Sequence, residues 1–191
     1  MQKLGTSPLI ARNSSLPFRA LAVITGVALM ALAAKTQLPF WPVPMTLHTM
    51  AVMGFAIFLG PRMALAIFVA YLSAGAVGLP VFSGSPERGI GIAYMMGPTG
   101  GYLAGFLVAS WLTGWLAQNG NMRRRVASMM AGLVVIYTFG MAWLLAFLPA
   151  AKLLSVGVAP FILGDLVKIA IVAAASVLLP KVKTVENAAN D

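Results

Sequence analysis

Six long apolar blocks, nearly free of charge inside, dominate the sequence between Arg19 and Leu179. They run from Arg19 to Gln37, Thr46 to Gly60, Met63 to Gly78, Thr99 to Ala117, Val126 to Leu148 and Pro160 to Leu179. A helix of about 20 apolar residues crosses a hydrocarbon core of about 30 Å. The blocks are continuous, whereas a membrane strand would alternate with period two over about ten residues. In lipid a helix also satisfies its own backbone N–H and C=O groups. The expected fold is an all-α membrane protein with six transmembrane helices over 19–180. It forms a single integral membrane domain, with a cytoplasmic N-terminal segment at 1–18 and a cytoplasmic tail at 181–191. The first two blocks are short, so Arg19 and Lys35 would reach out to the interfaces. Ala31-Leu32-Ala33 after basic flanks has the look of a cleavage site. With five further blocks behind it, the first block reads as a retained helix.

Composition excludes several function classes. Of 191 residues, 60% are hydrophobic and only 9% charged. A soluble domain carries about 25% charged residues, so the composition argues against a soluble enzyme. With no cysteine there is no thiol catalysis, disulfide or Cys-ligated metal, and one histidine with four acids leaves little for any metal site. No catalytic residue, metal or cofactor is expected. There is no GxxxxGK[ST] phosphate loop, no HExxH and no local signature of a Ser/His/Asp triad.

The formal charge of +9 sets orientation and does not imply nucleic acid. Lys3, Arg12, Arg19, Arg62, Arg123, Arg124, Arg125, Lys181 and Lys183 fall on the side that holds both termini. Lys35, Arg88 and Lys152 fall on the other, and Lys168 lies inside the sixth block. Nine against three makes both termini cytoplasmic.

Three outer connections follow. Leu38 to Met45 contains Pro39, Pro42 and Pro44, which deny a helix and give a stiff, partly extended lid. Pro80 to Pro98 is too long for a bare connection in a compact protein, and its apolar and aromatic residues should fold back over the helices. Pro149 to Ala159 has no such features. Small residues recur every four positions in block three (Ala66, Ala70, Ala74, Gly78) and block four (Gly101, Gly105, Ala109), where they read as internal packing. Ala22 and Gly26 in block one serve either packing or a partner protein.

Few residues can carry chemistry. Asp165 and Lys168 sit at i,i+3 on one face of the sixth block, in its outer half. Each charge costs about 2.5–3.5 kcal/mol to insert at mid-bilayer, so the two are paired, functional or both. Arg88 offers a planar fork for a carboxylate, or else pairs with Glu87 in solvent. His48, lacking nearby ligands, reads as a satisfied interface or pocket residue; it and Thr46 can offer hydrogen bonds to a solute. Phe40, Trp41, Phe82, Tyr94 and Tyr102 form an outer aromatic belt or wall an apolar pocket.

Three ordered motifs then point to a family. Pro42-Val43-Pro44-Met45-Thr46, Gly78-Leu79-Pro80-Val81-Phe82-Ser83-Gly84, and Gly97-Pro98-Thr99-Gly100-Gly101-Tyr102-Leu103 followed by Gly105-Phe106 resemble the BioY family. Its members are the biotin-specific substrate-binding S components of energy-coupling factor (ECF) transporters. The resemblance covers most of 20–180. It implies biotin uptake across the bacterial cytoplasmic membrane, with high-affinity binding near the outer surface beneath the first and third loops counted from the N-terminus. It implies a transmembrane coupling subunit and two ATPase subunits on other chains; some members act alone, as homo-oligomers. Two positions depart from the pattern: His48, where many members would carry glutamine, and Ile24 between Ala20 and Ala28 in the first block.

Biotin needs apolar walls, a few placed polar groups and a cation for its carboxylate. In this reading Asp165 accepts from the ureido N–H groups, and Lys168 or Arg88 pairs with the carboxylate. Phe82, Tyr94 and Trp41 pack the bicyclic body, and Ser83 and Thr46 add hydrogen bonds. The alternatives are an S component for thiamine or riboflavin, or an intramembrane lipid-modifying enzyme built on Asp165 and Lys168.

Overall fold

The computed structural model describes residues 16–38, 45–118 and 120–178. Each of the six apolar blocks yields one long helix: α1 (Leu16–Lys35), α2 (His48–Leu59), α3 (Pro61–Ala76), α5 (Gly100–Leu116), α6 (Met122–Leu144) and α8 (Ala159–Leu178). Two short helices lie in the connections, α4 (Gly91–Met95) and α7 (Leu153–Gly157). A 3-10 turn, Ala150–Lys152, precedes α7.

Among the described residues three stretches are long and apolar enough to cross a bilayer: α1, α6 and the run Ala150–Leu178 that ends in α8. The second block is shorter than its sequence suggests. Thr46 belongs to a two-residue strand, β2 (Met45–Thr46), paired antiparallel with β1 (Gln37–Leu38), so α2 begins only at His48. Its 12 residues rise about 18 Å, well short of the hydrocarbon thickness. The first connection is thus paired at its base; the lid expected between, residues 39–44 with Phe40 and Trp41, lies outside the described residues. The featureless third connection is in fact mostly helical, and the Tyr102 hydroxyl holds it by donating to the Gly157 carbonyl at 2.8 Å.

Helix ends are satisfied locally. Gly60 (φ 80°) turns the chain and Pro61 opens α3 at a position where its missing N–H has no bond to lose. Asn121 caps α6 by accepting from the Arg124 N–H at 3.1 Å. The Arg124 Nε donates to the Leu116 carbonyl and the Arg125 guanidinium to the Ser176 carbonyl, each at 2.7 Å. Two residues of the expected cytoplasmic cluster therefore also cap the last turns of α5 and α8.

The small-residue stripe of block four packs internally, as expected. A Cβ on Gly105 would lie 2.8 Å from the Ile136 Cα, and Gly101 lies directly against Trp143. The tightness is reciprocated from α6, where Gly132 and Gly140 meet Thr113 and the Tyr102 ring. Block three corrects the expectation. Ala66 is exposed and Ala70 and Ala74 only half-buried. The core-facing side of α3 carries Ala64, Phe68, Tyr71 and Gly75 instead, because these residues face the aromatic cluster that fills the bundle. In α1, Gly26 packs on Ile67 of α3, while Leu21, Ile24, Leu29 and Leu32 on other faces are exposed.

Candidate binding site in the bundle

The sixth block opens its helix at Ala159-Pro160 and then places two charges in apolar surroundings. In α8, Asp165 and Lys168 are both buried, and the Lys168 ammonium donates to Asp165 Oδ1 at 2.8 Å. The spacing of three puts them one turn apart on the inward face. The pair does not clasp only itself. The Tyr137 hydroxyl on α6 donates to Asp165 Oδ2 at 2.7 Å, so both carboxylate oxygens accept a charge-assisted bond. Separating a buried ion from its partner is strongly unfavourable, which holds the three groups together. Lys168 keeps two further N–H donors for other partners.

Sequence reasoning missed Tyr137. The available signal was a tyrosine in the middle of an apolar block, away from either interface where tyrosine normally sits. A buried phenol there needs a hydrogen-bond partner.

His48, at the start of α2, is 5% exposed. It is not the satisfied residue expected from sequence, since its Nε2 has no hydrogen-bond partner. Its ring stacks on Phe106 (4.5 Å between centroids) and Phe68 (5.9 Å), and Tyr71 approaches edge-on at 5.2 Å. Lys168 lies within electrostatic range of the imidazole. The aromatic contacts continue: Tyr71 meets Phe82 edge-on at 5.5 Å, and Phe82 stacks on Tyr94 at 4.8 Å. An unbroken aromatic path therefore joins His48 to the long connection.

That connection does fold back over the helices. Phe82 is fully buried against Gly75, whose lack of a side chain makes room for the ring. The Tyr94 hydroxyl donates to the Ser83 carbonyl at 2.8 Å, and Tyr71 donates to the Val81 carbonyl at 3.2 Å. Burial raises the Tyr94 phenol above its ordinary pKa of 10.0, so it remains a donor at neutral pH. The Lys35 ammonium, expected simply to snorkel, instead donates to the Ser85 carbonyl at 2.9 Å and pins the connection to the end of α1.

The structure thus gathers Phe82, Ser83 and Tyr94 into one packed unit and links it through Tyr71 to His48. Thr46 is half-buried in β2, two residues before His48. Arg88 is exposed in the turn after Gly84, with its aliphatic stem against that glycine. Its side chain lies on the surface of the connection. Trp41 lies outside the described residues. Among the described residues no group of three His, Asp or Glu side chains is placed to hold a metal.

Comparison with known proteins places this architecture. The family model described as "BioY family" matches residues 10–185. A probable biotin transporter BioY of Pyrococcus horikoshii is 38% identical over 144 residues, covering 75% of this chain and 85% of that protein. The biotin transporter BioY of Thermotoga maritima is 35% identical over 158 residues, covering 82% and 92%. The crystal structure at 2.1 Å of an S-component for biotin from an ECF-type ABC transporter shares the fold, with a TM-score of 0.73 at 21% identity, covering 89% of this chain and 97% of that one. Long apolar helices, a buried acid–base pair and these relatives agree: the chain is a membrane protein and belongs to the BioY family.

Proposed function

We propose that this protein takes up biotin, binding it in the upper part of the bundle and passing it across the cytoplasmic membrane of a bacterium. The observation that carries the proposal is the buried Asp165–Lys168–Tyr137 cluster in a chain whose relatives are biotin transporters. Asp165 accepts from the ureido N–H groups, and either Lys168 or, from the long connection, Arg88 pairs with the carboxylate. Phe82, Tyr94 and Trp41 wall the bicyclic body; Ser83 and Thr46 add polar contacts. Burial strengthens each of these contacts by lowering the local dielectric.

In this reading six helices cross the membrane with both termini cytoplasmic, as the distribution of Lys and Arg supports. The short α2 packs within the bundle against α1, α3, α5 and α8. A transmembrane coupling subunit and two ATPase subunits supply the energy, since this sequence has no phosphate loop of its own.

The test is biotin titration of the detergent-purified protein beside Asp165→Asn and Lys168→Met. Wild type binds tightly and both variants lose at least about tenfold in affinity, as expected when a charge-assisted contact is removed. Wild-type affinity in both variants would remove the pair from the site. Thiamine and riboflavin serve as competitors; displacement of biotin by either at equal concentration would reassign the solute. Uptake by cells that express this chain alone, without coupling subunits or another biotin importer, separates solitary from partner-driven transport.

A further inference from the structure

At one end of the bundle the chain gathers positive charge that its described residues do not neutralise. Arg123, Arg124 and Arg125 follow one another in the first turn of α6, which holds no acidic residue. Three cations crowded there are doubly unfavourable, because they repel one another and face the positive end of the helix dipole. The only acids among the described residues are Glu87 and Asp165. Asp165 is taken by Lys168 and Tyr137, and Glu87 lies in the connection between α3 and α5, at the other end of the bundle. Arg124 and Arg125 each engage a carbonyl, of Leu116 and Ser176, which leaves their charge in place. Arg123 is exposed and meets no partner among the described residues. Gly114 of α5 packs on Pro61, which brings the exposed Arg62 to the same end.

Beside these arginines stands a flat apolar wall. Trp111 and Trp115, one turn apart on α5, stack with ring centroids at 5.7 Å and planes 5° from parallel. Both rings are exposed, 42% and 50%, and Val108 continues the same face toward the middle of the helix. Trp115 directly precedes Leu116, whose carbonyl accepts from the Arg124 Nε, so the wall reaches the turn of α5 that Arg124 caps. Indole rings settle where hydrocarbon gives way to headgroups, and a guanidinium fork pairs with phosphate through two bonds. We propose that this face binds one anionic phospholipid, its phosphate held by Arg123 and Arg124 and its glycerol and upper acyl chains lying along Trp111 and Trp115. The two features together select the ligand. A soluble phosphate would answer the arginines and leave the rings bare, whereas a neutral lipid would cover the rings and leave the charge. The site needs only the membrane setting of these helices and is independent of which solute the bundle carries.

The tryptophans supply the readout. Phosphatidylglycerol with brominated acyl chains quenches the indoles it touches, and the same chains on phosphatidylcholine give the neutral control. Both are titrated into the full chain in micelles of an uncharged detergent. In wild type, half-quenching should need about threefold to tenfold less phosphatidylglycerol than phosphatidylcholine, the factor that one arginine contributes beside an anionic surface. Arg123→Gln removes a cation that bonds nothing in the described fold, and should bring the two lipids within about twofold of each other at an unchanged thermal melt. Replacing Trp111 and Trp115 together by Phe should remove the selective part of the quenching, which assigns it to this pair and not to Trp41 or Trp143. sn-Glycerol 1-phosphate should displace no more lipid than chloride does at equal ionic strength. Equal quenching by the two lipids in wild type overturns the proposal, as does a preference that survives Arg123→Gln combined with Arg124→Gln. Selective quenching that persists without the two indoles puts the lipid elsewhere and overturns it too. Full displacement by glycerol phosphate would give the site to a soluble anion, and rings that neither lipid reaches in a protein that sediments as a dimer would give the face to a second copy; either result overturns the lipid.

Discussion

Tyr137 shows how much a single hydroxyl can decide. It donates to Asp165 Oδ2 from the neighbouring helix, so Tyr137→Phe leaves a buried carboxylate oxygen unpaired. The expected cost is about 1–3 kcal/mol of stability, read as a lower midpoint in a detergent thermal melt, with weaker biotin binding alongside. An unchanged melt would mean that the oxygen finds another donor. Tyr94 gives a pH-dependent counterpart. Burial raises its phenol pKa, so the neutral form is favoured by folding. The stability it adds is complete below its ordinary pKa of 10.0 and is lost as pH rises through the raised folded value. Hydrogen exchange in 80–98 should therefore be flat through neutral pH and quicken only in strong alkali, relative to a control peptide, and Tyr94→Phe should abolish that dependence. At this scale the sequence was informative about Asp165 and Lys168, because charge inside an apolar block stands out. It marked His48 as a residue able to bond a solute but not the aromatic rings that hold it, and it missed Tyr137, because these contacts depend on which helices meet.

At the scale of elements, apolar continuity located all six long helices but not their lengths. The prolines and polar residues around Thr46 shorten α2, because the strand pair β1–β2 takes the residues that would have extended it. The small-residue rule held where both helices contribute glycine, as in α5 and α6, and failed for α3. A stripe records an opportunity for close approach; which face is buried depends on the partner, and α3 turns Phe68 and Tyr71 inward instead. The fold-back of 80–98 was legible because aromatic residues in a long connection need a surface to pack on. Its fastening was not legible: the Lys35 donor to the Ser85 carbonyl joins residues fifty apart. Lys35→Met keeps the stem and removes the donor. We expect biotin to dissociate about threefold to tenfold faster, measured by stopped-flow chase with unlabelled vitamin, with little change in the melt. An unaltered off-rate would show that Phe82, Tyr94 and Tyr71 hold the connection without Lys35.

For the whole molecule, the composition that excluded thiol chemistry also makes topology easy to test. With no native cysteine, single substitutions report cleanly through a membrane-impermeant maleimide. Glu87→Cys should react from outside intact cells, and Arg123→Cys only after the membrane is opened. Reaction of both from the same side would break the six-crossing arrangement. The cluster on α8 has a bearing on energetics as well. An acid and a base one turn apart on α8 add no net charge of their own to the hydrophobic interior of the unloaded carrier. Any electrogenic component of the cycle then belongs to the anionic cargo, worth about 2.3 kcal/mol per charge for each 100 mV. The reset of the vacant protein should be indifferent to voltage, and clamping proteoliposomes at opposite diffusion potentials should alter only the loaded half of the turnover.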